Sequence, residues 1–410
     1  MALSLNDSHA ENGTNGSRLH SEDLSESLSS VSPGSPPLRV LHLVGSTRDV
    51  GGILSVLRNL HEQGVRVGVQ NIVLNHHTYR ETRSPHLEYR YSRYLLDESP
   101  SHLKLLFHAI LALPELLRLT RQERFDIVHG HSRGSLFLGI FWSRVTKRPF
   151  LFTNHTYGRR KGLYRWAARQ PRIYTVLLTP NMARHYGLPL QSDRIDLVPA
   201  CCAPRFFEQP LRHDHRRQIP IRLIGLGTVE RWKRWHLVVE ALGRLPPSLR
   251  RRLRFDHYGP VVPTPSSQSY ARELQAQIQA LDLHEQCAFH GMRSDVIPLL
   301  QESDLFVLPS VNEPCSVALS EAMALGLPAV VSRSGGNVDT VQHGKTGLLF
   351  EPDQVEDFAR QLAAIAERSV PFLSPTQIRE SVRDRHAAVV AERYVQIYRK
   401  ILADFHKASV

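Results

Sequence analysis

Cysteine is scarce, with four residues in a chain of 410. Cys201 and Cys202 are adjacent, while Cys287 and Cys315 stand far off. No disulfide framework or Cys-x-x-Cys metal spacing can be written from them, and a reducing compartment is the simplest reading. Long apolar runs are also missing. The best candidates, over 105–113 and 135–142, fall short of the roughly 18–20 residues that cross a bilayer and suit core helices instead. The beginning of the chain lacks the charged start and apolar stretch of a secretion signal, so a cytoplasmic protein is expected. Three ligand signatures fail at single positions. A dinucleotide fingerprint after Gly225 and Gly227 meets Glu230 where its last glycine belongs. The run HGKTG lacks the glycine that a phosphate-binding loop needs, having Asp339 five residues before Gly344. No strict Asp-x-Asp occurs, which argues against a metal-carrying transferase site.

What is present describes a globular protein, with 41% apolar and 22% charged residues. Its length suits two domains of about 150–200 residues each. Residues 1–37 are rich in Ser, Asn, Gly and acids and close on SPGSPP, a composition that reads as a disordered tail. Charge is unevenly spread. Residues 38–205 hold 25 Lys+Arg against 11 Asp+Glu, a formal 25 − 11 = +14, whereas 206–410 hold 25 against 23, or +2. A basic first half could attract anionic lipid or acidic glycan. No nucleic-acid motif accompanies it.

Apolar runs alternate with helical patterns twice over. RVLHLV at 39–44 reads as a first buried strand, followed by a helix over 52–63 that Gly64 should stop and a strand over 65–73. Further strands are expected at 126–128, 150–153, 174–178 and 195–198. The pattern restarts at RLIGLG, 222–227, and runs through strands at 253–258, 287–290, 305–308, 328–332 and 347–350, with a long helical stretch at 376–405. Two successive runs of this kind predict an α/β protein with two parallel sheets flanked by helices, joined near 203–220. Ligands of such sheets lie beyond the carboxyl ends of the strands, so the two would share one cleft.

The most informative stretch is 308–331, LPSVNEPCSVALSEAMALGLPAVV. Glu313 falls in a loop after a strand, Ser316 is a helix N-cap candidate, and Glu321 lies on the helix, eight residues after Glu313. Carboxylates there can accept hydrogen bonds from vicinal hydroxyls, and free amides around Ser316 and Val317 can meet an anion. Such pairs also occur as solvated side chains on ordinary turns. Lys233, in GLGTVERWKRWH, can place a point charge near a diphosphate. Gly51 and Gly52 allow a backbone to approach a ligand closely. His129, His131 and His155 follow strands, although with 22 histidines in the chain a single one means little.

The Glu-x7-Glu spacing, continued by EAMALGLPAVVS, GGNVDTV and HGKTGLLF, resembles the donor site of family 4 retaining glycosyltransferases. The likeness extends over most of 38–405, through Gly51-Gly52, FDIVHGHS and PFLFTNHTYG. It implies the GT-B fold of two Rossmann-like domains: a tail over 1–37, an acceptor-side domain over 38–205, a nucleotide-sugar domain over 206–375, and C-terminal helices over 376–410 returning to the first domain. It also implies roles. Glu321 would hold donor ribose hydroxyls, and Glu313 with His155 would serve the transferred sugar at the reaction centre. Gly51, Gly52, Ser316, Val317, Arg231 and Lys233 would bind the donor, while His129 and His131 would have a structural or acceptor-side role. The base would lie near 290–292. No metal or cofactor is implied, and the partners are a nucleotide-diphosphate-sugar and an unidentified hydroxyl acceptor. The family usually has an arginine where Thr228 stands, and Arg231 is expected to replace its charge. Pro314-Cys315-Ser316 takes the place of a glycine-rich loop. These two departures favour the alternative, a non-catalytic nucleotide-sugar or glycan-binding module. A phosphorylase or synthase on the same plan is a further alternative. The basic segments 102–124 and 158–172 suit either an acceptor-cleft wall and a core helix or peripheral attachment to an anionic membrane at its inner face.

Overall fold

The computed structural model describes residues 36–49, 51–82, 86–211 and 219–407. The tail read over 1–37 thus lies almost wholly outside the described residues, as does Val50 beside the glycine pair. The first run of alternation becomes a seven-stranded sheet. Its strands are β1 (Leu38–Leu43), β2 (Val69–His76), β3 (Glu88–Ser92), β4 (Ile127–Gly130), β5 (Phe150–Asn154), β6 (Ile173–Leu177) and β7 (Ile195–Leu197). They lie in the order β3-β2-β1-β4-β5-β6-β7. The second run forms a six-stranded sheet from β8 (Ile221–Leu226), β9 (Leu253–Tyr258), β10 (Cys287–Phe289), β11 (Leu305–Leu308), β12 (Ala329–Ser332) and β13 (Gly347–Phe350). Here the order is β10-β9-β8-β11-β12-β13. Every pairing is parallel. Both sheets reverse direction of growth beside their first strand, between β1 and β4 and between β8 and β11, and this is where a crevice opens. The expected fold class is therefore observed.

The central strands are buried on both faces, as parallel sheets with helices above and below require. Strand β3 was not anticipated. Its sequence EYRYS is polar and alternating, and it pairs only with β2 at the sheet edge, where burial is partial. Gly64 does not stop its helix, which spans Gly52–Val67 and ends on Gly68 at φ 70°. Gly64 is buried, and a Cβ there would stand 2.5 Å from the Val69 carbonyl oxygen. Its role is close packing, and β2 consequently starts four residues later than expected, at Val69.

The C-terminal stretch is broken, not continuous. Helix Pro375–Glu380 places Ile378 in the core of the second sheet, and a 3-10 turn at Arg383–Arg385 follows. Helix Ala387–Lys407 then adds Val390, Tyr394, Tyr398 and Ile401 to the core of the first sheet. The chain thus crosses between sheets twice, at 201–203 and 385–387. The crossings run side by side: Cys202 N–H donates to the Arg385 carbonyl, and Ala387 N–H to that of Cys202. Small buried side chains are needed at such a junction, which accounts for Cys201 and Cys202. Burial pushes the Cys201 thiol up to about 12, far from reactive thiolate behaviour. Among the described residues no helix is long and apolar enough to cross a membrane.

Candidate functional site

The second sheet contributes a charged cluster beyond the carboxyl ends of β8 and β11. After Leu308 the chain enters the loop carrying Glu313, and Asn312 adopts φ 54° there. Gly335 and Gly336 pass directly beneath this loop. A Cβ on Gly335 would stand 2.5 Å from the Glu313 carbonyl oxygen, and Gly336 N–H donates to that same oxygen at 2.8 Å. The GGN segment therefore fixes the Glu313 backbone. The Glu313 carboxylate accepts from Lys233 Nζ at 2.9 Å and from Ser310 Oγ at 3.0 Å. Lys233 rises from a 3-10 turn, Arg231–Lys233, and its ammonium also lies 4.1 Å from the centre of the Trp232 ring. The side chains of both members of the pair are nearly buried, 11% and 12% exposed.

Ser316 is the N-cap of helix Val317–Ala324, its Oγ accepting from Leu319 N–H. The first-turn amides are thus presented as expected. Glu321, one turn further on, is only partly exposed, and among the described residues its carboxylate makes no hydrogen bond. Burial pushes its pKa up to about 7, with the Arg205 charge pulling the other way. The Glu321 carboxylate keeps some contact with solvent and is open to the hydroxyls of a ligand. Arg231 is exposed, paired with Glu273 at 2.6 Å and laid over the Tyr270 ring. The Thr228 hydroxyl donates to Glu230, so this position adds no charge.

The first sheet contributes a neutral cluster. His155 follows β5 and is partly exposed. His131, after β4, is buried, and its Nδ1 lies 3.1 Å from His155 Nε2. Its Nε2 lies 2.9 Å from Nδ1 of His42 in β1, whose Nε2 lies 2.9 Å from Asn71 Oδ1 in β2. His129 is fully buried and bonded to Tyr398 and Thr153. Of the two roles expected for His129 and His131, buried side chains fit the structural one and not contact with an acceptor. His42 was not anticipated, though a histidine inside RVLHLV could have signalled a buried polar partner. His42, His129 and His131 bring ring nitrogens within 4.8 Å of one another, a spacing that could hold an ion. Each of those nitrogens already has a protein partner. Burial lowers the His42 and His155 pKa values to about 4, so the cluster is uncharged at neutral pH.

Gly51 (φ 99°) and Gly52 open the helix Gly52–Val67, and open space surrounds the position of a side chain on either. The loop before them is anchored by Asp49, paired at 2.7 Å with buried Arg58. The two sheets also meet directly. Asp339 accepts from Asn181 N–H at 2.7 Å and pairs with Arg184 at 2.9 Å. A separate cavity of 390 Å³ is lined by Ile221, Leu305 and Pro328, at the amino ends of β8, β11 and β12, so it belongs to the opposite side.

Comparison with known proteins agrees with this arrangement. Residues 50–200 match the family described as Glycosyltransferase Family 4, and residues 212–385 match Glycosyl transferases group 1. The D-inositol 3-phosphate glycosyltransferase of Pseudarthrobacter chlorophenolicus is 25% identical over 289 residues, 64% of this chain and 67% of the relative. An Escherichia coli galactosyltransferase named for an α-D-GlcNAc-diphosphoundecaprenol acceptor is 24% identical, over 63% of this chain and 71% of its own. Among solved structures, HepE of Anabaena in complex with UDP superposes with a TM-score of 0.64 at 18% identity. It covers 90% of this chain and 100% of its own.

Proposed function

The chain belongs to the family 4 glycosyltransferases of GT-B fold, and on that premise we propose that it moves a sugar from a nucleotide diphosphate to a hydroxyl acceptor with retention of configuration. One observation carries this reading: the nearly buried Lys233–Glu313 pair beside a helix whose Glu321 has no donor among the described residues. Lys233 and the amides at Ser316 and Val317 bind the diphosphate and stabilise it as it departs. Glu321 accepts from the vicinal ribose hydroxyls. Glu313, held by Lys233 and Ser310, orients the sugar, with His155 opposite it. Gly51 and Gly52 let the backbone come close to the donor. The base lies against the Tyr258–His290 stack and Met292. The acceptor alcohol attacks from the face the diphosphate leaves, and the diphosphate takes the proton. These groups supply charge and proton transfer without a metal. The acceptor belongs to glycolipid, glycoside or polysaccharide synthesis. Calorimetry with UDP, GDP and ADP identifies the nucleotide. NMR of the product's anomeric proton then tests the stereochemistry, and an inverted anomer refutes retention.

A second reading concerns where the enzyme works. Helix His102–Gln122 buries Leu105, Ala109, Ala112 and Leu116 on one face. On the other it exposes Leu103, Phe107 and Ile110, at 78%, 59% and 52%, a stripe at helical spacing. Exposed Arg159, Arg160, Lys161, Arg165 and Trp166 belong to the same basic half. An apolar stripe with cationic surroundings suits the surface of an anionic membrane. Co-sedimentation with vesicles containing phosphatidylglycerol, against neutral vesicles, tests it. Equal pelleting with both ends the idea.

A further inference from the structure

The histidines behind His155 form one directed chain, and its direction can be read from its far end. Asn71 Nδ2 donates to the Leu60 carbonyl at 3.4 Å, which leaves Asn71 Oδ1 to face His42. Reversing the amide would set two oxygens against each other. Gly64 is part of this arrangement, since a Cβ there would press to 3.1 Å on Asn71 Nδ2. An amide oxygen can only accept, so His42 Nε2 carries the hydrogen. A neutral imidazole has one N–H, so His42 Nδ1 is a lone pair and must accept from His131 Nε2–H. His131 Nδ1 is then bare in turn and accepts from His155 Nε2–H. The final consequence falls on His155. Its Nδ1 has no hydrogen, and among the described residues no protein group donates to it.

We propose that Asn71, His42 and His131 are positioning residues that lock His155 in its Nε2–H tautomer, so that Nδ1 meets the ligand as a hydrogen-bond acceptor for a hydroxyl. The identity of that ligand rests on the glycosyl-transfer reading, but the tautomer does not. The chain also accounts for buried His42 and His131, which meet no carboxylate among the described residues. A second proton on His42 or His131 would set two N–H groups against each other unless every tautomer between it and His155 reversed. An imidazole that presents a bare Nδ1 is suited to a sugar or alcohol hydroxyl and unsuited to a phosphate oxygen, which offers no hydrogen.

The test is ¹⁵N NMR of the full chain labelled at its imidazoles, at pH 7, with His155 assigned by its loss in His155→Gln. The expected result is a protonated Nε2 and an unprotonated Nδ1 on His155. Asn71→Asp sets its second oxygen against the Leu60 carbonyl, at a cost in stability, but keeps an accepting oxygen toward His42 and should keep this tautomer. Asn71→Leu should give mixed tautomers, and turnover about 10-fold lower with donor KM within about twofold. A protonated Nδ1 in the wild type, or unchanged tautomers in Asn71→Leu, overturns the relay. So does a metal ion that copurifies at one per chain, since it would occupy nitrogens the relay needs. Adding UDP-glucose, GDP-mannose or ADP-glucose should shift Nδ1 where the matching nucleotide alone does not, which assigns the hydroxyl to the donor sugar. A shift only with added free glucose assigns it to the acceptor. No shift from any donor that binds, nor from glucose, overturns the hydroxyl contact. Failure of every nucleotide to bind, with the tautomer as expected, defeats the glycosyl-transfer reading alone.

Discussion

Two sheets of like topology face one cleft, yet they furnish it with opposite kinds of polar group. On the first sheet the histidines satisfy one another, and the network is neutral, buried and closed except at His155. On the second, Lys233 and Glu313 are charged, and Glu321 is left without a protein donor. The difference separates two uses of burial. A network that completes itself sets geometry at little cost in stability, whereas one left incomplete is destabilising until a ligand completes it. On the proposed reading, the side that binds the charged leaving group carries the incompleteness.

The largest effect should come from removing the cation. Lys233→Ala should weaken nucleoside diphosphate binding by about 100-fold or more, read by calorimetry. It also strands the Glu313 carboxylate, and breaking a nearly buried pair costs about 3–5 kcal/mol, so the melting temperature should fall too. The double change Lys233→Ala with Glu313→Gln separates these losses, recovering the melting temperature while binding stays lost. Recovery of both would remove Lys233 from the proposed site.

Glu321 should come next, and its sign is diagnostic. Glu321→Gln should weaken nucleotide binding by about 10–100-fold. The same change should stabilise the free protein at pH 8. A carboxyl whose folded pKa is raised to about 7 binds more protons folded than unfolded, so it lowers stability as pH rises from its ordinary value through 7. The gain should be roughly 2–4 °C in melting temperature at pH 8 and should vanish near pH 4. Loss of stability together with loss of binding would make Glu321 a structural residue.

How much of this could be read from the residues follows from the distance over which each interaction acts. Strands, helices and the Glu313–Glu321 spacing are local patterns, and so both sheets and the N-cap at Ser316 were legible. The edge strand Glu88–Ser92 was not, because its stability comes from pairing with β2 and not from an apolar run of its own. Gly64 looked like a helix stop because its reason, the approach of Val69 and Asn71, is tertiary. The His42–His131 bond joins residues 89 apart and the His129–Tyr398 bond residues 269 apart. The available hint was polar residues inside buried strands, His42 and Asn71, which must find partners. The outward course of Arg231 depends on Glu273 and Tyr270, on a helix that no motif connects to it.

Acid should act on the two sides in opposite senses. His42 and His155 are neutral when folded, with pKa values near 4, but protonate near 6.5 when unfolded. The unfolded chain thus binds more protons between those values, and stability is lost as pH falls through that window. Glu321 opposes this, gaining protons in the folded state. The unfolding free energy from urea titrations at constant ionic strength should decline from pH 6.5 to 4, by roughly 1–3 kcal/mol in all. His42→Asn should flatten the decline and Glu321→Gln should steepen it. A slope that neither variant changes would mean that other groups govern acid stability.

The smallest expected effect distinguishes charge that is present from charge that is placed. Arg231 is two residues from Lys233 and equally cationic, so composition alone would give both a share of the diphosphate. Its side chain is 64% exposed and bound to Glu273, which is 48% exposed. Surface pairs of this kind contribute about 0–1 kcal/mol, and solvent screens what reaches the cleft. Arg231→Ala should therefore change nucleotide affinity by less than about twofold at 150 mM salt, against the 100-fold or more for Lys233. Repeating both titrations at low salt sharpens the contrast: a remote charge gains influence as screening falls, whereas a direct contact changes little. If Arg231→Ala weakened binding tenfold at either salt concentration, its side chain would have to leave Glu273 on ligand binding, and the second sheet would hold two cations on the diphosphate in place of one.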